Sequence, residues 1–245
     1  MPVRIIVKTL IPSPSDSETQ DSELWVLSPE ERQRALRFHH ARDRWSYAAA
    51  HQLLRTMLTE FHGGSPLEWT FRLSPFGKPE IEWDRAHAVA PRFNISHTHG
   101  LVACGLTLDY PGGLELGVDV ESLFRSINAA DLAQRFFSEN ESRWLDTLPE
   151  SDVQSAFIRL WTIKEAIAKA TGRGLQLDFR SFSCSLNPLS VTFHDPLSKP
   201  EWVWDLATGF IPPGHWVSLA VHRPPGLHIA PIFRQQRGLM KDPGI

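Results

Sequence analysis

Apolar positions along this chain recur at two spacings, and the spacing separates helices from strands. Val3–Leu10 is dense enough in apolar residues to read as a strand, and the polar, Pro/Ser-rich stretch Pro12–Ser22 after it reads as a surface loop. Ser28-Pro29-Glu30-Glu31 opens a short helix, with Ser28 as N-cap, Pro29 at the first helical position and Glu31 closing a capping box. Arg32–His40 is its body. Tyr47, Ala50, Leu54, Met57 and Leu58 recur at helical spacing and predict a longer helix over Asp43–Phe61, stopped by Gly63-Gly64. Strands are expected at Glu68–Leu73 and Pro79–Trp83, around the turn Ser74-Pro75-Phe76-Gly77, then at Phe93–Ser96 and Leu101–Leu108. Tyr110-Pro111-Gly112-Gly113 breaks the pattern, and Leu116–Val120 follows as a short buried strand.

The second half repeats this order loosely. Ile127–Phe137 is a helix, and Ser138 with Glu141 forms a second capping box that opens Ser142–Thr147. Asp152–Thr171 is a strong helix with the core row Ala156, Leu160, Ile163, Ile167 and Ala170, ended by Gly172 and Gly174. Strands follow at Ser181–Leu186, Leu189–His194, Trp202–Asp205 and His215–His222. The last, HWVSLAVH, echoes HGLVACGL near residue 100. The pattern suggests an internal duplication joined near Gly112-Gly113, with halves 1–112 and 113–245 and a loose tail over Arg237–Ile245.

Composition narrows the class without naming a function. With 245 residues, 42% hydrophobic and 22% charged, the chain has the make-up of a globular protein, and disorder as its dominant state is excluded. A net charge of -3 gives no support to a general nucleic-acid binder. Cys104 and Cys184 are far apart, so no disulfide framework and no zinc pattern is present, which fits a reducing compartment. No apolar run is long enough to span a bilayer, and the N-terminus lacks the features of a signal peptide. The expectation is a cytoplasmic protein with neither nucleic acid nor membrane as partner.

Four segments carry candidate chemistry. In Gly117-Val118-Asp119-Val120-Glu121, the alternation of a strand puts Asp119 and Glu121 on one face. Two carboxylates held together repel unless a cation intervenes, and a hard divalent ion such as Mg2+ or Mn2+ suits oxygen ligands; a solvated strand end is the plain alternative. In Trp161-Thr162-Ile163-Lys164-Glu165-Ala166-Ile167-Ala168-Lys169, Glu165 and Lys169 share a helix face, with Trp161 and Phe157 one and two turns earlier. This reads either as a surface ion pair or as one wall of a cleft, with Trp161 burying the helix. Phe93-Asn94-Ile95-Ser96-His97 has no nucleophile elbow; by itself it reads as a strand end with a histidine in a polar turn, and its best functional reading is a phosphate contact. Arg32, Arg34, Arg37, Arg42 and Arg44, with Lys78 later, form either a solvated basic face or a grip on a polyanionic small molecule.

In this order the segments SPFGKPEI, FNISH, GVDVE, RFFSENE and LWTIKEAIAKATGRGL resemble the 4'-phosphopantetheinyl transferases, in particular their double-length monomeric (Sfp-like) class. The likeness runs from about Ser28 to about Leu186, and GVDVE and WTIKEAIAKATGRGL discriminate best. The resemblance implies an α+β pseudo-dimer of two similar halves with the active site in the cleft between them. It implies transfer of the phosphopantetheine arm of coenzyme A to a serine of an apo acyl or peptidyl carrier protein, releasing adenosine 3',5'-bisphosphate. It places Mg2+ on Asp119, Glu121 and Glu165, a further acid at Glu141, and Lys169 on the leaving phosphate. Ser96, His97 and Lys78 would meet coenzyme A phosphates, with Arg34 near the 3'-phosphate and Arg42 and Arg44 close enough to stand in for a basic residue of the early helix. Two other functions compete: a metal-dependent phosphodiesterase or nuclease, and a non-catalytic binder of coenzyme A or carrier proteins.

Overall fold

The computed structural model describes residues 2–11, 26–82, 89–109, 113–195, 199 and 201–237. The loop expected at Pro12–Ser22, the break at Tyr110–Gly112, Trp83 and the tail beyond Arg237 lie outside the described residues. The chain divides into two compact units. The first comprises Met1–Pro75, Pro79–Gly112 and His228–Ile245, the second Phe76–Lys78 and Gly113–Leu227. Both mix helices with antiparallel strands, so the fold is α+β, as expected.

In the first unit, β1 (Val3–Ile11) is followed by α1 (Pro29–Leu36), α2 (Ala41–His62), the hairpin β2 (Phe71–Leu73) and β3 (Pro79–Ile81), then β4 (Phe93–Thr98) and β5 (Leu101–Thr107). The sheet order is β11-β1-β5-β4, and β11 (Ile229–Arg237) runs parallel to β1. In the second unit, β6 (Glu115–Ser122) is followed by α3 (Ala129–Phe136), α4 (Glu139–Asp146), α5 (Glu150–Thr171), the hairpin β7 (Phe182–Leu186) and β8 (Leu189–Phe193), then β9 (Val203–Ile211) and β10 (His215–Arg223). Here the sheet order is β6-β10-β9.

Leaving out α3 and β11, the two units have the same sequence of elements and the same strand order. The two stretches that echo each other, around residue 100 and at His215–His222, form the corresponding central strands β5 and β10. In each unit a 22-residue helix packs its apolar stripe on the sheet, α2 over β4 and β5, α5 over β6 and β10. Leu53, Leu54, Met57 and Leu58 are buried in the first core, and Leu160, Ile163, Ala166 and Ile167 in the second.

The duplication extends to a buried ionic strut. Both predicted capping boxes form, Ser28 with Glu31 and Ser138 with Glu141. In each, the glutamate is buried and receives a cation from the long helix: Arg55 Nε donates to Glu31 at 2.8 Å, and Lys164 Nζ lies 2.9 Å from Glu141. Arg55 stands fourteen positions after Ala41, and Lys164 fourteen after Glu150. Each cation also donates to the first and the capping carbonyl of the 3-10 turn that precedes its hairpin. Arg55 reaches Pro66 at 2.6 Å and Trp69 at 2.8 Å, and Lys164 reaches Phe179 and Phe182 at 2.8 Å each. One side chain thus ties a helix cap, a long helix and the entry to a hairpin in each unit.

Burial opposes the charge of Glu31, but hydrogen bonds from His51 and Arg55 outweigh it and hold the carboxyl down at about 2, from an ordinary 4.5. A depressed folded-state value stabilises above the unfolded value and is lost as the pH falls through the folded one. Urea titrations should therefore show the stability gap between wild type and Glu31→Gln shrinking by about 2 kcal/mol between pH 6 and pH 3. A constant gap would remove the charge from the strut's contribution.

The structure departs from the sequence expectation in several places. The first short helix ends at Leu36 rather than His40, because Arg37 already caps it. Glu68–Leu73 splits into the 3-10 turn Pro66–Glu68 and the short β2. β9 runs on to Ile211, well past Asp205. β11, IAPIFRQQR, is not among the expected strands; it is an edge strand, where Pro231 can sit without costing a central ladder bond.

Candidate functional site

The second unit gathers the acidic candidates. β6 pairs with β10, with Asp119 opposite Ser218 and Glu121 opposite Trp216. Gly117, Asp119 and Glu121 share the face of β6 that α5 covers. Gly117 makes that seating feasible: a Cβ there would lie 1.9 Å from the Ala166 carbonyl oxygen and 2.5 Å from the Ala170 nitrogen. Thr162 of α5 and Ser218 of β10 add a buried hydroxyl–hydroxyl hydrogen bond of 2.8 Å. Gly117→Ala should thus push α5 off β6 and cost about 3 kcal/mol, read as a lower urea midpoint. An unchanged midpoint would mean that the helix and strand have slack that the structure does not show.

The close seating brings the chemistry together. Lys169 Nζ, 27% exposed, donates to Asp119 Oδ1 at 2.7 Å, and Asp119 is buried. Glu121 accepts from Arg125 Nη1 at 2.7 Å. Glu165, on the same helix face as Lys169, has its carboxyl pushed up to about 7, first by burial and then by the charge of Asp119, with Glu121 adding to it and Lys169 opposing. Three carboxylates are therefore close enough to feel one another. Among the described residues no group of three or more His, Cys, Asp or Glu forms a ready-made metal cage. The donor set is nonetheless all oxygen and anionic, the chemistry a hard divalent cation takes.

Other expected residues have different settings. Lys78 belongs to the second unit, and its ammonium donates to the carbonyls of Leu116, Lys169 and Ala170 at 2.9, 2.7 and 3.3 Å. Glu141 accepts from Ser138, Lys164 and the Cys184 backbone, and so stands as the buried end of a strut. Trp161 packs among Phe136, Phe137, Phe157 and Phe179 and anchors the outer face of α5 to the core.

The first unit holds the remaining phosphate candidates. Ser96 and His97 lie on β4, which runs on to Thr98, so the histidine sits within the strand rather than in the turn after it. Ser96 is buried and His97 exposed, on opposite faces. Arg34 is exposed over the Tyr47 ring, 5.8 Å from its centroid. With Glu30, Gln33, Arg37 and Phe38 it lines an open pocket of about 570 Å³. Arg44 reaches the Phe38 carbonyl at 3.3 Å, and its buried Nε has no hydrogen-bond partner among the described residues.

Comparison with known proteins follows this division. Residues 115–217 match the 4'-phosphopantetheinyl transferase superfamily model, and residues 13–105 match a model for the N-terminal part of 4'-phosphopantetheinyl transferases. The 4'-phosphopantetheinyl transferase HetI of a Nostoc species is 35% identical over 160 residues, which cover 65% of this chain and 65% of that protein, a little under two thirds of it. The 4'-phosphopantetheinyl transferase gsp of Aneurinibacillus migulanus is 31% identical over 71% of this chain and 68% of its own length. The 4'-phosphopantetheinyl transferase Sfp of Bacillus subtilis is 29% identical over 71% of this chain and 73% of its own.

Proposed function

The chain belongs to the 4'-phosphopantetheinyl transferase superfamily, and from that premise we propose that it moves the phosphopantetheine arm of coenzyme A onto a serine of an apo acyl or peptidyl carrier protein. The observation that supports this most is the junction of β6 and α5, where Asp119, Glu121, Glu165 and Lys169 meet. In the reaction the serine oxygen bonds to the phosphorus bearing the pantetheine arm. The pyrophosphate oxygen bridge to that phosphorus breaks, and adenosine 3',5'-bisphosphate leaves. The step needs an in-line nucleophile, a place for its proton and charge to meet the leaving oxygens.

Asp119, Glu121 and Glu165 would hold Mg2+ or Mn2+, which supplies positive charge against the pyrophosphate. Glu165 takes the serine proton. Lys169 donates to Asp119 and would offer positive charge to the leaving phosphate. On the first unit, Arg34, Arg44, Ser96 and His97 are the residues we assign to coenzyme A phosphates, Arg34 because guanidinium pairs with phosphate in bidentate fashion. We read the protein as a cytoplasmic monomer, because one chain carries both copies of the duplicated topology and its two cysteines are buried thiols. No helix among the described residues is long and apolar enough to cross a membrane.

The test is direct. With coenzyme A, Mg2+ and an apo carrier protein, the carrier should gain the mass of one phosphopantetheine by mass spectrometry. Coenzyme A binding without that gain, across acyl and peptidyl carriers, would overturn the transferase reading.

A further inference from the structure

Lys78 is the candidate whose setting differs most from the role the family resemblance implies for it. A lysine ammonium has three N–H donors, and here three backbone carbonyls receive them, those of Leu116, Lys169 and Ala170. The last two are among the terminal carbonyls of α5, where i→i+4 partners run out and the helix dipole is negative; the Lys169 carbonyl also accepts the Gly172 N–H at 3.2 Å. The helix ends there at Gly172, in the left-handed conformation with φ of 74°, and a Cβ on Gly172 would come within 3.9 Å of Lys78 Cδ. The first carbonyl lies on β6, one residue before Gly117, the position whose missing Cβ lets α5 close on β6. One ammonium therefore bridges helix and strand at the point of their closest approach. Asp119 lies two residues further along the strand, and Lys169 supplies one of the bridged carbonyls.

We propose that Lys78 is a positioning residue: it clamps the last turn of α5 onto β6 and so sets the distance between Lys169 and Asp119, rather than holding a phosphate. The clamp stands on this geometry alone, and only its kinetic consequence rests on the transferase reading. A phosphate ligand would present its ammonium to the cofactor and lose cofactor affinity on substitution. A clamp would lose helix-end order and turnover instead.

Hydrogen exchange on the full chain separates the two. In Lys78→Met the amides of the last turn of α5, Lys169–Gly172, should exchange at least tenfold faster than in wild type. The coenzyme A dissociation constant, by calorimetry, should move less than threefold, and kcat should fall about tenfold with little change in KM for coenzyme A. Lys78→Arg, which keeps donors for the carbonyls, should recover most of the protection. If Lys78→Met does not fold, Lys78→Gln is read by the same measures. Unchanged exchange overturns the clamp, whatever happens to cofactor binding, and a tenfold weaker coenzyme A affinity with unchanged exchange assigns Lys78 to a phosphate. Should wild type itself not bind coenzyme A, the transferase reading fails while the exchange result still decides the clamp.

Discussion

Lys164→Met is expected to lower stability by about 3–5 kcal/mol, because it leaves a buried carboxylate without its cation. Lys164 has no exposed surface, and its ammonium serves Glu141 and the carbonyls of Phe179 and Phe182 together, above the Phe182 ring. Glu141 would keep its bonds from Ser138 and Cys184 but lose the ammonium paired with it, and two carbonyls would lose their donor. Urea unfolding measures the loss. Pairing the change with Glu141→Leu should recover a large part of it, since replacing both charges removes the stranded one. Arg55→Met should act in the same way in the first unit, where the arrangement is repeated around Glu31. A loss below about 1 kcal/mol for Lys164→Met would mean that water reaches Glu141 and that the strut is not dry.

Glu165→Gln should reduce transfer by at least about a thousandfold, the upper range for losing a positioned acid–base group, with the fold intact. The substitution keeps the shape of a side chain that is partly exposed, and it removes one of the three negative charges gathered at the β6–α5 junction. Circular dichroism and the thermal midpoint should match wild type while the carrier protein stays at its apo mass. Near-full activity in this variant would remove Glu165 from both the proton transfer and the cation set.

Much of this was readable from local sequence rules. Ser28 with Glu31 and Ser138 with Glu141 announced two helix starts, because a capping box is written in four consecutive residues. The shared face of Asp119 and Glu121 followed from strand alternation, and that of Glu165 and Lys169 from helical spacing. What stayed hidden depends on residues distant in sequence. Lys164 sits between Ile163 and Glu165 and looks like one more helix-surface charge; its burial follows from carbonyls that arrive 15 and 18 residues later. Superposing the two capping boxes puts Arg55 opposite Glu165 and misses Lys164 by one residue; the match appears only when the two long helices are aligned by their first residues, fourteen positions before each cation. The carbonyl bonds of Lys78 were hidden too, because a lysine after a glycine turn carries no mark of the helix end it meets 91 residues on.

The parallel pairing of β11 with β1 also sets an order of events during synthesis. β1 waits for a partner more than 200 residues further along the chain, so its sheet acquires its outer strand only after the whole of Gly113–Leu227 has been made. Most of the second unit, Gly113–Leu227, is one continuous stretch and meets no such delay. Until Ile229–Arg237 arrives, VRIIVKTLI presents a bare strand edge rich in branched apolar residues, the kind of edge that recruits other chains. Chains stalled or cut after Leu227 would carry that sticky edge permanently, and chaperone demand should therefore last until Ile229–Arg237 has emerged.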